Sequence, residues 1–312
     1  MRLWLASVCF FALAGLSAYS APDRPGELRQ IGRIDHRPMR ETSGLVQSRT
    51  YPGVYWAICD SGNHAHLYAV DRAGKLVAEY RVRGATNVDW EAITIDDSGN
   101  LFIADVGNNS TRVLPKGLST RRVYRVKEPD PRSVSQSPSG KHSLPEVPLD
   151  TTYYYTFPDM PFDCEAVFVR GGAFYLISKM KKGETTKLYR LPLDRPGQST
   201  KLIEVCSLPK LKTVTDACLS PDGRRLAVCS YSYAAVFELQ PCDAIESLGT
   251  RRPTVVRFPT ETSIEAEVVK TFSLKTTRKT ALNFASRNPS AAIGAQALRA
   301  NSRARPRGWI GS

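Results

Sequence analysis

Short apolar runs separated by turns rich in Gly, Asp and Pro fill the chain from about residue 41 to 258, and many alternate apolar with polar residues. A period of two is the mark of half-buried strands. One unit recurs: an acidic residue opening an apolar run, a Gly-containing turn, then a second apolar run. It reads Glu41-Thr-Ser-Gly-Leu45 with Tyr55 to Asp60, then Glu91 to Ile95 with Leu101 to Asp105, then Glu165 to Val169 with Phe174 to Lys179. The fourth copy is Asp216 to Ser220 with Leu226 to Tyr231, and a degraded fifth is Glu265 to Val269 with Ala281 to Arg287. Turn sequences at Asp97-Ser-Gly-Asn100, Gly171-Gly172 and Pro221-Asp-Gly223 sit midway between the paired runs, where hairpins need them.

Each pair is followed by a third alternating run (His66 to Val70, Arg122 to Val126, Lys187 to Leu191, Ala234 to Leu239) and a fourth (Leu76 to Val82, Thr152 to Phe157, Lys201 to Cys206, Thr254 to Phe258). Four antiparallel strands in a repeat of about 50 residues predict an all-β fold, a β-propeller. Five four-stranded blades are favoured, the last lacking an outer strand that Leu28 to Ile34 would supply, closing the ring. Six blades stay open if the Pro- and Ser-rich insert from Pro129 to Asp150 holds a divergent one.

Superposing the repeats puts Glu41, Glu91, Glu165, Asp216 and Glu265 in one column at the start of each innermost strand. Antiparallel return brings a second column, Asp60, Asp105, Lys179, Tyr231 and Arg287, to the same end. Carboxylates converging on a central mouth cannot all stay ionised and unpaired. The seven acids Glu41, Asp60, Glu91, Asp105, Glu165, Asp216 and Glu265 form the expected ligand set of a divalent cation, with Ca²⁺ the best match to a donor set of oxygens. Lys179, Tyr231, Arg287 and His64 are the expected contacts of a bound ligand, with neutralisation of part of the ring by Lys179 and Arg287 themselves as the alternative use of those two. The competing reading is that each acid bonds to backbone of the next blade and locks the blades together. His64 and His66 flank Ala65 near the same mouth and read either as a base or metal ligand or as a solvated loop pair. Tyr153 to Tyr155 read as blade packing, and Trp90 as a wedge between blades.

The blocks Glu41-Thr-Ser-Gly-Leu45, Asp60-Ser-Gly62, Asn87-Val-Asp-Trp-Glu-Ala92, Asp105-Val-Gly-Asn-Asn109, Val123 to Pro129 and Ser220-Pro-Asp-Gly223 resemble those of an uncharacterised group of exported bacterial propeller proteins, loosely similar to NHL and SMP-30-type propellers. The likeness runs from about Glu41 to Phe258. It implies fold and export, and no activity. The chain carries Cys59 and Asn108 where that pattern has Asn and Asp.

Composition sharpens this in two places. Arg2, the apolar run Leu3 to Ala18 and the small residues around Ala18 to Ala21 have the form of a secretory signal. The chain divides into a signal over 1–20, a propeller over 21–290 and a basic tail over 291–312, for a secreted or periplasmic protein with no membrane span. A retained N-terminal anchor is the alternative. Of seven cysteines Cys9 leaves with the signal, and the remaining six form no C-x-x-C pair, so zinc and redox motifs gain no support.

The formal charge of +13 suggests nucleic acid at first. Residues 268–312, however, hold nine Lys and Arg and no acid, leaving 34 basic against 30 acidic residues, +4, in the rest. The basicity is largely a property of this C-terminal segment, whose end could touch an anionic surface, and no nucleic-acid partner is expected. The reading is a monomeric binder of a small molecule or extracellular polymer at an acidic, cation-holding mouth. A metal-dependent hydrolase of lactones or phosphoesters and a protein-interaction scaffold are the alternatives.

Overall fold

The computed structural model describes residues 32–39, 41–107, 121–133, 144–180 and 183–258. It is all-β. Strands β1 (Thr42–Gln47), β2 (Val54–Cys59), β3 (His66–Asp71) and β4 (Leu76–Arg83) form one antiparallel meander. β5 (Trp90–Ile95), β6 (Asn100–Asp105), β7 (Arg121–Lys127) and β8 (Glu146–Thr156) form the second. The third comprises β9 (Asp163–Arg170), β10 (Ala173–Lys179), β11 (Lys187–Pro192) and β13 (Ile203–Ser207), preceded by the short β12 (Ser199–Lys201). β14 (Val214–Leu219), β15 (Arg225–Ser230), β16 (Tyr233–Glu238) and β17 (Thr254–Arg257) complete the fourth.

The first strands of successive sheets lie side by side, β1 against β5, β5 against β9 and β9 against β14, which is the arrangement of propeller blades. The expected fifth repeat, the expected signal over 1–20 and the basic tail lie outside the described residues, Glu265 and Arg287 with them.

Burial explains the hydropathy pattern. β2 and β6 are buried at every position but the first, because each is pressed between strands of its own sheet and between neighbouring blades. The outer β4 alternates from Ala78 on, with one face against blade two. Trp56, Ile58 and Leu67 of blade one pack with Trp90, Ile103 and Tyr124 of blade two. Phe102, Tyr153 and Tyr155 pack with Cys164, Phe174 and Leu176 of blade three. Phe168, Ile177 and Leu188 in turn meet Val214, Val228 and Phe237 of blade four. Trp90 and two of the three consecutive tyrosines are thus blade-to-blade packing, as the pattern implies. Gly44 sits where β1 and β5 approach most closely: a Cβ there would lie 2.9 Å from the Ile93 amide nitrogen.

Two findings concern the blade edges. The fourth strand of blade two begins at Glu146, so the end of the Pro/Ser-rich insert is its first half. There Arg81, Val82 and Arg83 of β4 pair in parallel with Glu146, Val147 and Pro148, joining the outer edges of blades one and two. Of the expected strand from Leu28 to Ile34, the described residues 32–34 carry no strand, and the Arg33 N–H donates to Ala73 O at 2.8 Å, in the β3–β4 turn of blade one.

At one end of the molecule blades one and two are joined by Glu128, directly after β7. Its buried carboxylate accepts from Trp56 Nε1 at 2.6 Å and from the Thr50 N–H at 3.2 Å. Removing it would leave a buried indole N–H without an acceptor. Glu128→Ala is expected to lower stability by about 3 kcal/mol, read as a fall in denaturation midpoint, with Glu128→Gln recovering part through its carbonyl oxygen. Two variants indistinguishable from wild type would show that the blades hold together without this contact.

Candidate functional site

The other end gathers the starts of the inner strands and the ends of the second strands, and with them the acidic residues. Each inner strand carries a register shift there, leaving one residue without a cross-strand partner: Ser43 in β1, Glu91 in β5, Glu165 in β9 and Thr215 in β14. A β-bulge of this kind opposes two residues to one and re-aims the side chains beside it.

Counting from the bulges corrects the alignment made from sequence. Glu91 and Glu165 are equivalent, whereas Glu41 lies two residues before its bulge and Asp216 one residue after. The residues equivalent to Glu41 are Asp89, Asp163 and Thr213. In the second column, Asp60, Lys179 and Tyr231 are equivalent, and the blade-two member is Val106, one residue beyond Asp105.

The individual environments differ accordingly. Glu41 is exposed and accepts from Asn63 Nδ2 at 3.1 Å. Asp105 is 2% exposed and is used inside the fold: Oδ1 accepts from the Asp89 N–H at 2.7 Å and Oδ2 from Arg122 Nε at 2.8 Å. Burial raises its pKa, opposed by Arg122. Asp216 is buried and accepts from the adjacent Ala217 N–H at 2.8 Å. Glu165 accepts from Lys179 Nζ, which also lies 4.0 Å from Asp163 and 5.4 Å from the centre of the Tyr231 ring. Burial would depress the Lys179 ammonium, but the Glu165 carboxylate outweighs it and holds the group above the usual lysine range. Tyr231 is 38% exposed beside them. His64 is exposed and stands against His66 rather than among the acids.

Three carboxylates do converge. Asp60, after β2, and Asp89 and Glu91, around the start of β5, offer oxygens that all lie within 4.8 Å of one another. The segment 87–91 is pinned to bring them there. Asn87 Nδ2 donates to the Cys59 and Asp60 carbonyls at 3.0 and 2.9 Å, and Asn87 Oδ1 accepts from the Trp90 N–H at 3.1 Å. The Val106 and Gly107 N–H groups both donate to the Asp89 carbonyl at 3.2 Å. Gly107 presses on the cluster: a Cβ there would fall 2.3 Å from Asp89 Oδ2 and 2.7 Å from Glu91 Oε1. Burial, then the charge of Asp60, pushes the Asp89 carboxyl up to about 6. A compact set of oxygens suits a hard divalent ion.

Asp89, Asp163, Gly107 and Asn87 escaped the repeat alignment. Asp89, Gly107 and Asn87 were visible as members of the Asn87-Val-Asp-Trp-Glu-Ala92 and Asp105-Val-Gly-Asn-Asn109 blocks, whereas the bulges that align Asp163 with Asp89 leave no sequence mark. Among the described residues no helix is long and apolar enough to cross a membrane.

No protein-family profile and no curated protein matches the chain. Solved structures to which it is similar include a functionally unknown protein from Desulfotomaculum acetoxidans, 11% identical over 70% of this chain and 55% of that one, TM-score 0.34. A gluconolactonase from Xanthomonas campestris is 13% identical over 70% of this chain and 62% of that one, TM-score 0.37. The chain thus spans between half and two thirds of the length of either.

Proposed function

We propose that this protein is an exported five-bladed propeller that binds a polar small molecule or extracellular polymer at its carboxylate-rich mouth. A divalent cation, Ca²⁺ by the hardness of the donors, is held there by Asp60, Asp89 and Glu91. The observation that carries the reading is the convergence of these three side chains to within 4.8 Å from two different blades. Like charges this close in a half-buried setting disfavour one another's ionised form, and the raised Asp89 carboxyl registers that conflict. A bound cation resolves it and leaves coordination positions for ligand oxygens. On the far side of the mouth Lys179 neutralises Glu165, and the exposed ring of Tyr231 beside it gives a ligand an apolar face.

The test is a thermal melt of chelator-stripped protein with and without Ca²⁺, alongside metal analysis of the protein as purified. Ca²⁺ at a hundredfold excess over its dissociation constant should stabilise by about 2.7 kcal/mol. Gly107→Ala, which forces the Asp89 and Glu91 carboxylates to move, is expected to abolish the response while the protein stays folded. A wild type without bound metal and without a Ca²⁺ shift would sink the cation reading. Turnover in a screen of lactones and phosphoesters would instead show that the ion activates water for hydrolysis.

A further inference from the structure

Among the described residues the carboxylate cluster involves no histidine, and two histidines lie side by side on blade one. His64 and His66 bracket the start of β3, their ring centres 5.3 Å apart and their planes inclined by 32°. The backbone between them is fixed twice: the His66 N–H donates to His64 O at 2.8 Å, and Ala65 O accepts from the Val82 N–H at 2.9 Å. His66 is fixed a third time through its ring, where Nδ1 lies 2.8 Å from Glu79 Oε1. A carboxylate on one ring nitrogen orients the imidazole and leaves Nε2 as the atom available to a metal. His64 is exposed, so an ion can reach the pair from solvent. Tyr68 stands edge-on to the His66 ring and to the His36 ring, with centres 6.1 and 6.4 Å away.

The spacing suits one shared ion. Two imidazoles bound to a tetrahedral centre at about 2.1 Å per nitrogen have ring centres about 5 Å apart. Imidazole nitrogen favours Zn²⁺, Cu²⁺ and Ni²⁺ over Ca²⁺. We infer that His64 and His66, the latter oriented by Glu79, form a transition-metal site on the β2–β3 loop of blade one, distinct from the carboxylate cluster in position and in metal preference. Two protein ligands leave the remaining positions to water or to a donor atom from a bound molecule. This inference stands whether or not the carboxylate cluster holds Ca²⁺.

The test is calorimetric titration of the full-length, chelator-stripped protein with Zn²⁺ in millimolar Ca²⁺, together with the electron paramagnetic resonance spectrum of the Cu²⁺ adduct. The expected result is one Zn²⁺ site and a Cu²⁺ signal with nitrogen couplings from two imidazoles. His64→Ala should weaken Zn²⁺ binding at least tenfold, and being exposed it should leave folding intact. Glu79→Gln should weaken binding by roughly ten- to a hundredfold while retaining the two-nitrogen signature. Asp89→Asn should leave Zn²⁺ binding unchanged. Absence of Zn²⁺ binding by the wild type, or undiminished binding by His64→Ala, overturns the site.

Discussion

Replacing Asp89 with Asn is expected to stabilise the cation-free protein at neutral pH and to remove its response to Ca²⁺. The Asp89 carboxyl sits at about 6 rather than 3.8, chiefly through burial and then through the charge of Asp60, with Arg121 in partial opposition. A carboxyl whose pKa is raised by folding favours the native state in its neutral form. Its burial is therefore tolerated below pH 3.8, becomes increasingly unfavourable between 3.8 and about 6, and carries its full penalty above. For a half-buried group partly screened by solvent that penalty is at most about 3 kcal/mol, which is several degrees of melting temperature.

Asn keeps the shape without the charge, so the variant should melt higher than wild type at pH 7.5 in chelator and match it near pH 4. In wild type the Ca²⁺-induced shift should grow with pH through the same window, because the ion relieves a repulsion that exists only once Asp89 is ionised. A variant that melts lower than wild type at pH 7.5 and still responds to Ca²⁺ would place the ion elsewhere, or nowhere.

Most of the fold could be read from the chain because each blade advertises itself locally. Apolar runs such as Tyr55 to Cys59 and Leu101 to Ala104, punctuated by Gly-containing turns, must be strands packed on both faces, the second of each blade, and the four described blades fall where those runs predict. The site was legible only to within a residue or two. A bulge adds one residue to one strand without any residue type announcing it, since Ser43, Glu91, Glu165 and Thr215 share no chemistry. Aligning acid with acid therefore merged two columns.

That merging hid Asp89 behind Glu91 and gave Asp105 a place in the mouth, when its carboxylate is instead held by Arg122 and the Asp89 N–H. Long-range partners were equally invisible. Nothing near Trp56 in the sequence points to Glu128, which lies on another blade. Asp105 is held by groups of its own blade and Glu128 joins blades one and two, while Asp60, Asp89 and Glu91 meet one another.

Blade three answers the same crowding differently, and Lys179→Met is expected to reveal it. Glu165 is the structural counterpart of Glu91, and Asp163 of Asp89, so blade three presents the same two carboxylates as blade two. Here the cation is built into the chain. Lys179 Nζ meets Glu165 and approaches Asp163, with 16%, 13% and 15% of the respective side chains exposed. Because Glu165 holds the ammonium above its ordinary range despite burial, the pair persists through neutral and mildly alkaline pH.

Met fills the volume of the Lys stem but takes the ammonium away from the largely buried Glu165 carboxylate, a loss of about 3–5 kcal/mol. The variant should melt well below wild type at pH 7.5. Adding Glu165→Gln to Lys179→Met should restore most of the stability, since the charge left behind is then gone. Divalent cations should stabilise Lys179→Met more than wild type, because the blade-three pair now offers the oxygens that Asp89 and Glu91 offer on blade two. If the single variant loses less than about 1 kcal/mol, the value of an exposed surface pair, Lys179 is not the internal counter-ion and the resemblance between the two blades stops at the backbone.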